Sequence, residues 1–266
     1  MMILLRALWN SKSGLIAQQN KLDSISNNLA NVNTVGYKRE DVSFQELVQE
    51  TLKRKGYPTS DRPEIQTGTG VKATNWIRDT HQQGILLNTG NKTDLAIDGQ
   101  GFFRVIMPDG NYAYERSGNF VIDRNGMLVD ENGNRLEIQL QQPAGSQILN
   151  RIGGFNKNNI NIAEDGSISA KDVDGINKMI GKINIYNAVG SDAFVSIGRN
   201  LYIPQEGVNV FVNNDVSMLQ GFLENSNVDA GKEMTEMIIT QRAFELSSRG
   251  IKTADEMWGI VNNLRK

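Results

Sequence analysis

Few side chains in this 266-residue chain are spaced to do chemistry. Its one histidine, His81, sits in a polar connector and there is no cysteine, so a His-rich or thiolate metal site is excluded. A serine nucleophile would have to recruit that same histidine, and no Gly-x-Ser-x-Gly elbow presents one. Gly99-Gln100-Gly101 opens like a dinucleotide fingerprint, but Phe102-Phe103-Arg104-Val105 continues as strand and the third glycine is missing, which leaves a tight turn. Gly175 to Gly181-Lys182 fails as a phosphate loop, because the spacer is one residue too long and Ile183 stands where Ser or Thr is required. Asp123-Arg124-Asn125-Gly126 and Asp130-Glu131-Asn132-Gly133 place carboxylates beside glycines without the spacing of a calcium loop, and they read as hairpin turns. What remains open is a carboxylate pair for acid–base work, which 30 Asp and Glu residues could supply without the sequence marking any of them. No catalytic residue, cofactor or metal is expected.

The elements that would carry such groups point elsewhere, to assembly. A net charge of -2 gives no pull toward nucleic acid or anionic lipid. No run of about 18 apolar residues exists to cross a membrane, so direct membrane insertion is not expected. Met1 to Leu5 is apolar but Arg6 interrupts it, and no apolar core precedes a small-residue cleavage site, so a cleavable signal peptide is not expected either.

Leu8, Leu15, Leu22 and Leu29 recur every seven residues, with Ile25 and Val32 in the offset row, and no Gly or Pro interrupts Leu15 to Val32. Met237, Phe244, Ile251 and Trp258 repeat the pattern at the other end. These are two long helices, each with one narrow coiled-coil-like stripe. One stripe cannot offset the ordering of so long a helix, so each end needs a partner, either the other end or another copy. The first helix should stop near Asn31 to Asn33, where Asn27, Asn28, Asn31 and Asn33 crowd its end and Gly36 can turn left-handed. Ser226 to Asp229 offers a cap for the second.

Between the helices the pattern changes. Phe44, Leu47, Val48 and Leu52 suggest a further short helix running to the solvated triplet Lys53-Arg54-Lys55, and Gly56 to Gly70, with Pro58 and Pro63, reads as an extended connector. Beyond it, apolar runs of strand length lie between Asp98-Gly99, Asp109-Gly110, Asn125-Gly126, Asn132-Gly133 and Asp165-Gly166, each a hairpin signal. Thirty asparagines favour turns and caps over further long helices. The expected fold is α+β: terminal helices from 1–36 and 225–266 pairing as a coiled coil, an extended intermediate region from 37–87 and 205–224, and an all-β domain of short strands and hairpins over 88–204.

Several blocks carry a family resemblance. Ser26-Asn27-Asn28-Leu29-Ala30-Asn31-Val32-Asn33-Thr34-Val35-Gly36-Tyr37-Lys38-Arg39, with Phe44 following, resembles the N-terminal signature of the bacterial flagellar rod and hook proteins. Asp94 to Phe103, Tyr114 to Phe120, Ile197 to Tyr202 and Gln220 to Val228 are similar to its later blocks, and Glu233-Met234, Gln241-Arg242-Ala243-Phe244-Glu245 and Asp255 to its C-terminal helix. The connector and the block ending at Tyr202 resemble the distal branch of the rod proteins, with the proximal branch that also bears a β domain as the close competitor. Met1 to Leu5 and Gln141 to Asn159 depart from the pattern.

The resemblance implies a structural subunit that joins copies of itself into a helical homopolymer. Adjoining rod and hook proteins and the flagellar type III export apparatus would be its other partners, and the basal body of the flagellum its place. It puts the subunit interface on Leu8, Leu15, Leu22, Ile25, Leu29, Asn27, Asn28, Asn31, Val32, Asn33, Gly36, Tyr37, Phe44, Met237, Phe244, Ile251 and Trp258. The rival reading, a β module that binds or hydrolyses cell wall, rests on the acidic loops from Asp123 to Gly133 alone.

Overall fold

The computed structural model describes residues 2–46, 71–80, 82–141, 144–156, 159–171, 176–190 and 193–263. His81 and the connector expected from Gln49 to Gly70 lie outside them. The chain divides into two units, 1–30 with 40–77 and 229–266, and 31–39 with 78–228.

The first unit is helical. α1 spans Met2–Ala30 and α3 spans Ala230–Asn263, about 50 Å for the latter at the usual rise. Asp229 caps α3, its Oδ1 accepting from the amides of Gly231 at 2.9 Å and Lys232 at 3.1 Å. The two helices pack antiparallel: Lys21 Nζ lies 2.8 Å from Glu236, Asn28 bonds Glu233, and Gly14 and Gly250 lie against Ser247 and Ser11. The buried centre of this pair is small and polar, through Ala17, Ser24, Ile25 and Asn28 on α1 and Glu233, Thr240 and Ala254 on α3. Small side chains let two helix backbones approach closely. The heptad leucines, placed at the centre by their spacing, instead flank it.

β1 (Glu40–Glu46) pairs with β2 (Val71–Arg78) and packs on α1. Phe44 therefore sits in a strand, and the helix expected from it is not formed over 40–46; Leu47 to Leu52 lie outside the described residues. The cause is a clamp: Asn28 donates to the Glu40 carbonyl at 2.8 Å and accepts from the Glu40 amide at 2.8 Å, while Ser24 donates to the same carbonyl at 2.7 Å. Those bonds take up the backbone groups a helix would use and hold the segment extended beside α1.

Among the described residues the second unit holds seventeen short strands and one helix. Its largest sheet runs β15 (Phe194–Gly198), β16 (Leu201–Pro204), β6 (Tyr112–Glu115), β5 (Phe102–Ile106), β9 (Arg135–Leu136), β8 (Leu128–Val129), β7 (Val121–Ile122). β14 (Ile185–Ala188) also pairs with β5 and carries β17 (Val210–Val212). A four-stranded sheet runs β10 (Gln139–Leu140), β13 (Asn177–Lys182), β12 (Ser167–Lys171), β11 (Ile160–Ile162). Two pairs complete the unit, β18 (Ser217–Gln220) on β4 (Leu95–Asp98) and β19 (Phe222–Glu224) on β3 (Leu86–Asn88). The core between the sheets contains Leu95, Ile97, Phe103, Phe120, Leu128, Ile168, Ile180 and Met218.

Asp109-Gly110, Asn125-Gly126, Asn132-Gly133 and Asp165-Gly166 each close a hairpin, between β5 and β6, β7 and β8, β8 and β9, and β11 and β12. Asp98-Gly99 does not. β4 pairs with β18 and β5 with β6, β9 and β14, so the glycines there carry the chain from one sheet to another, with φ of 122° at Gly99 and 148° at Gly101. The middle is also not purely β: α2 (Ala144–Ile152) falls in the divergent stretch, and its Leu149 packs on the core.

Candidate assembly surfaces

On the helical unit the apolar side chains outnumber the places that bury them. Met234, Ile238, Ile239, Leu246, Met257 and Ile260 of α3 are all more than half exposed, away from the face that meets α1. Single exposed apolar residues are ordinary, but six on one helix form a surface that water does not favour. Periodicity alone missed this row, because it does not follow the heptad; the excess of apolar residues between the heptad positions was its only signal. The expected stripe residues Leu8, Leu15, Leu22, Leu29, Met237, Phe244, Ile251 and Trp258 are all half-buried. Asn27 and Phe44 are exposed on this unit, whereas Ile25 and Asn28 are buried in contacts within it.

The second unit contains a buried ionic node. Glu224 accepts from Lys38 Nζ at 2.7 Å, from Arg116 Nε and from the Gly84 amide at 2.8 Å. Lys38 also donates to the Gln82 carbonyl at 2.8 Å, and Arg116 to the carbonyls of Ile97, Gly99 and Gly101. All three ionic side chains are within about two per cent of full burial. Burial pushes the Glu224 carboxyl up, but Arg116 and then Lys38 outweigh it and hold the group below its ordinary value. Burial, followed by the Arg116 charge, draws the Lys38 ammonium down against the pull of Glu224. Two cations thus share one carboxylate, and the lysine is the less secure.

The node is braced by its neighbours. The Gly36 amide donates to the Glu224 carbonyl at 2.8 Å. Gly36 is left-handed, φ 68°, and a Cβ there would lie 2.5 Å from the Ser117 nitrogen, so only glycine fits. Asn227 accepts from the Arg39 amide at 2.6 Å and donates to the carbonyls of Asp79 and Gln82. Tyr37 is buried beneath Arg78, whose guanidinium lies 5.3 Å from its ring centre. Of the expected interface residues on this unit, Asn31 and Val32 are half-buried, Asn33 is exposed, and Gly36 and Tyr37 are buried in these contacts.

The acidic loops are turns. Asp123 Oδ1 accepts from the amides of Asn125 and Met127 at 2.8 Å each, and Asp130 Oδ1 from those of Asn132 and Asn134 at 2.8 and 2.7 Å. Among the described residues no group of three His, Cys, Asp or Glu is placed to hold a metal ion.

Three family models cover most of the chain: flagella basal body rod protein over residues 8–38, the flagellar hook protein FlgE/F/G D1 domain over 96–170, and the flagellar basal body rod FlgEFG protein C-terminal region over 219–264. The flagellar basal-body rod protein FlgG of Borreliella burgdorferi is 38% identical, across 99% of this chain and all of the relative. FlgG of Bacillus subtilis is 36% identical over 99% and 100%. The chain belongs to the flagellar basal-body rod protein family. The flagellar hook-basal body complex protein FlhP of B. subtilis is also similar, at 28% over 98% of this chain. Within this rod protein the ionic node gains meaning, since Lys38, Arg116 and Glu224 come one from each of the three matched segments. Blocks far apart in sequence are neighbours because they build one junction. The protein is a structural subunit of the basal-body rod of the bacterial flagellum.

Proposed function

We propose that this chain is a distal-rod subunit whose terminal helices build the inner wall of a helical tube that carries torque from motor to hook. The outward row of α3, from Met234 to Ile260, carries the reading. A monomer leaves that row in water; a neighbouring helix seated on it would bury it and complete the half-buried heptad rows as coiled-coil seams. Leu8, Leu15, Leu22, Leu29, Met237, Phe244, Ile251 and Trp258 then face neighbours, together with the exposed Asn27, Asn33 and Phe44. Ile25, Asn28, Asn31, Val32, Gly36 and Tyr37 fix the surface that those residues present. A head-to-tail contact that does not close into a ring propagates as a helix. In this scheme the termini, 1–36 with 225–266, form the inner layer, 37–87 with 205–224 the intermediate one, and 88–204 the outer one.

The distal position is favoured by the connector from Gln49 to Gly70 and the block from Ile197 to Tyr202, and export through the type III apparatus by the family as a whole. A non-enzymatic role is favoured over wall hydrolysis. One cavity, of about 250 Å³, does bring Glu115, Asp130 and Glu131 together, but among the described residues no aromatic side chain lines it to stack a sugar, and its volume is below that of a usual ligand site, roughly 300 to 1,000 Å³. Antibody labelling of purified basal bodies tests the assignment. Label next to the hook is expected, and label confined to the membrane-proximal end would contradict it.

A further inference from the structure

The cavity that wall hydrolysis does not explain has its own chemistry. It opens on the second unit between the turn after α1, the end of β6, the β8–β9 hairpin and the turn between β15 and β16. Glu115 lines it, pairing along β6 with Phe103 and Leu201, and is 2% exposed. Its Oε1 is buried and has no hydrogen-bond partner. A carboxylate oxygen in that position is left without the partner that burial requires. Asp130 also lines the cavity, but three donors of its own loop occupy it, and the nearby Glu131 accepts from Asn119 at 2.6 Å. The single cation of the lining, Arg199, is exposed on the β15–β16 turn, where it and Asn200 are both left-handed, with φ of 53° and 59°.

Asp130 and Glu131 against one guanidinium leave no surplus positive charge for an anion. Metal chelation is disfavoured as well, because these carboxyls do not converge as a ligand group. The volume suits one long side chain rather than a peptide or a nucleotide. We propose that this cavity is an acceptor for a single organic cation, an alkylammonium, and that a lysine of a second copy supplies it in the assembled rod, with Glu115 in the wall of the socket and the exposed Glu131 at its rim. Exposed lysines such as Lys92 and Lys171 stand on the same unit, so one kind of subunit presents both socket and plug, as a repeating head-to-tail contact requires. The second-copy source rests on the assembly reading above; the cation site does not. Burial, then the charges of Asp130 and Glu131, push the Glu115 carboxyl well up, so an arriving ammonium displaces its proton and binding strengthens as pH rises. Asp130, Glu131 and Arg199 are the charged groups that face it from the surrounding elements.

Two measurements test the site and its source. The full-length chain, labelled with ¹⁵N and held dilute as monomer, is titrated with n-butylammonium chloride, with n-butanol and magnesium chloride as controls. Saturable shifts of the Ser117, Asn132 and Asn200 amides with the ammonium alone are expected, about tenfold or more weaker in Glu115→Gln, where the charge-assisted bond is lost. Glu131→Gln, a substitution at an exposed position whose glutamine oxygen can still accept from Asn119, should also weaken them. Absent shifts, or equal shifts in wild type and both variants, would overturn the site. For the source, rods assembled from mixed ¹⁴N and ¹⁵N chains are treated with a carbodiimide, which couples a lysine amine to a carboxyl. Mixed-isotope peptides linked at Glu115 or Glu131 are expected. If butylammonium binds but no such link forms in rods, the second-copy assignment fails and a free amine is the ligand.

Discussion

Glu224→Gln is the substitution that examines the ionic node most sharply. It removes the carboxylate that Lys38 and Arg116 share in a region closed to water. Removing one member of a buried pair destabilises by about 3 to 5 kcal/mol, mostly because a charge is stranded. Here a glutamine carbonyl in the Oε1 position still accepts from Lys38 and Gly84, Lys38 keeps the Gln82 carbonyl and Arg116 those of Ile97, Gly99 and Gly101, but Arg116 Nε then meets an amide NH2 in place of Oε2 and both cations lose their shared negative charge. The loss should therefore fall near the lower figure, about 3 kcal/mol, or more than a hundredfold in the folding equilibrium. Lys38→Met should destabilise much less, since it removes the surplus cation and leaves the Arg116–Glu224 pair balanced. The effect also has a pH signature. Glu224 is held below its ordinary value, so the stability it contributes is present above the unfolded carboxyl range near 4.3 and is lost as pH falls through its lower folded value. Urea unfolding of the full chain, followed through its aromatic near-ultraviolet signal, measures all of this. A Glu224→Gln loss under about 1 kcal/mol, or one that is unchanged in a Lys38→Met background, would refute the shared-carboxylate account.

Three further outcomes are expected. Glu115 is raised by burial and by its acidic neighbours, so the unfolded chain ionises first, and its contribution to stability declines as pH rises from about 4.3 toward its folded value; Glu115→Gln should flatten the urea midpoint between pH 4 and 7. Asp229→Ala removes the cap of α3 and should lower stability by about 1 kcal/mol, read by helix signal on heating. Ile238→Asp should leave monomer stability within about 0.5 kcal/mol, because the position is exposed, yet abolish swimming and rod formation, scored in motility agar and by electron microscopy.

Much of the architecture was legible in the residues. Heptad spacing located both helices, the asparagines up to Asn33 with Gly36 the end of the first, the stretch Ser226 to Asp229 the start of the second, and four of five Gly-bearing turn pairs their hairpins. Each of those signals is local, set by a handful of neighbouring side chains. What escaped depends on distant ones. Phe44 reads as helical until Asn28 captures the backbone of Glu40 from α1. Asp98-Gly99 resembles a hairpin until β18, more than a hundred residues later, claims β4. The placement of Leu8, Leu15 and Leu22 beside rather than within the helix contact follows from Gly14, Ala17 and Gly250, whose smallness sets how closely the helices approach. The node of Lys38, Arg116 and Glu224 and the socket around Glu115 could not be read from spacing at all, because their members lie in blocks that only the fold brings together.

If neighbouring subunits cover the outward row of α3, thiol accessibility reports it directly, because the sequence holds no native cysteine. Ile238→Cys and Leu246→Cys place one thiol each on that row, and Asn111→Cys places a control on an exposed turn of the second unit. Rapid maleimide labelling of all three is expected in dilute monomer and, in purified basal bodies, protection at 238 and 246 with labelling retained at 111. Labelling of 238 and 246 at the same rate in basal bodies as in monomer would contradict it.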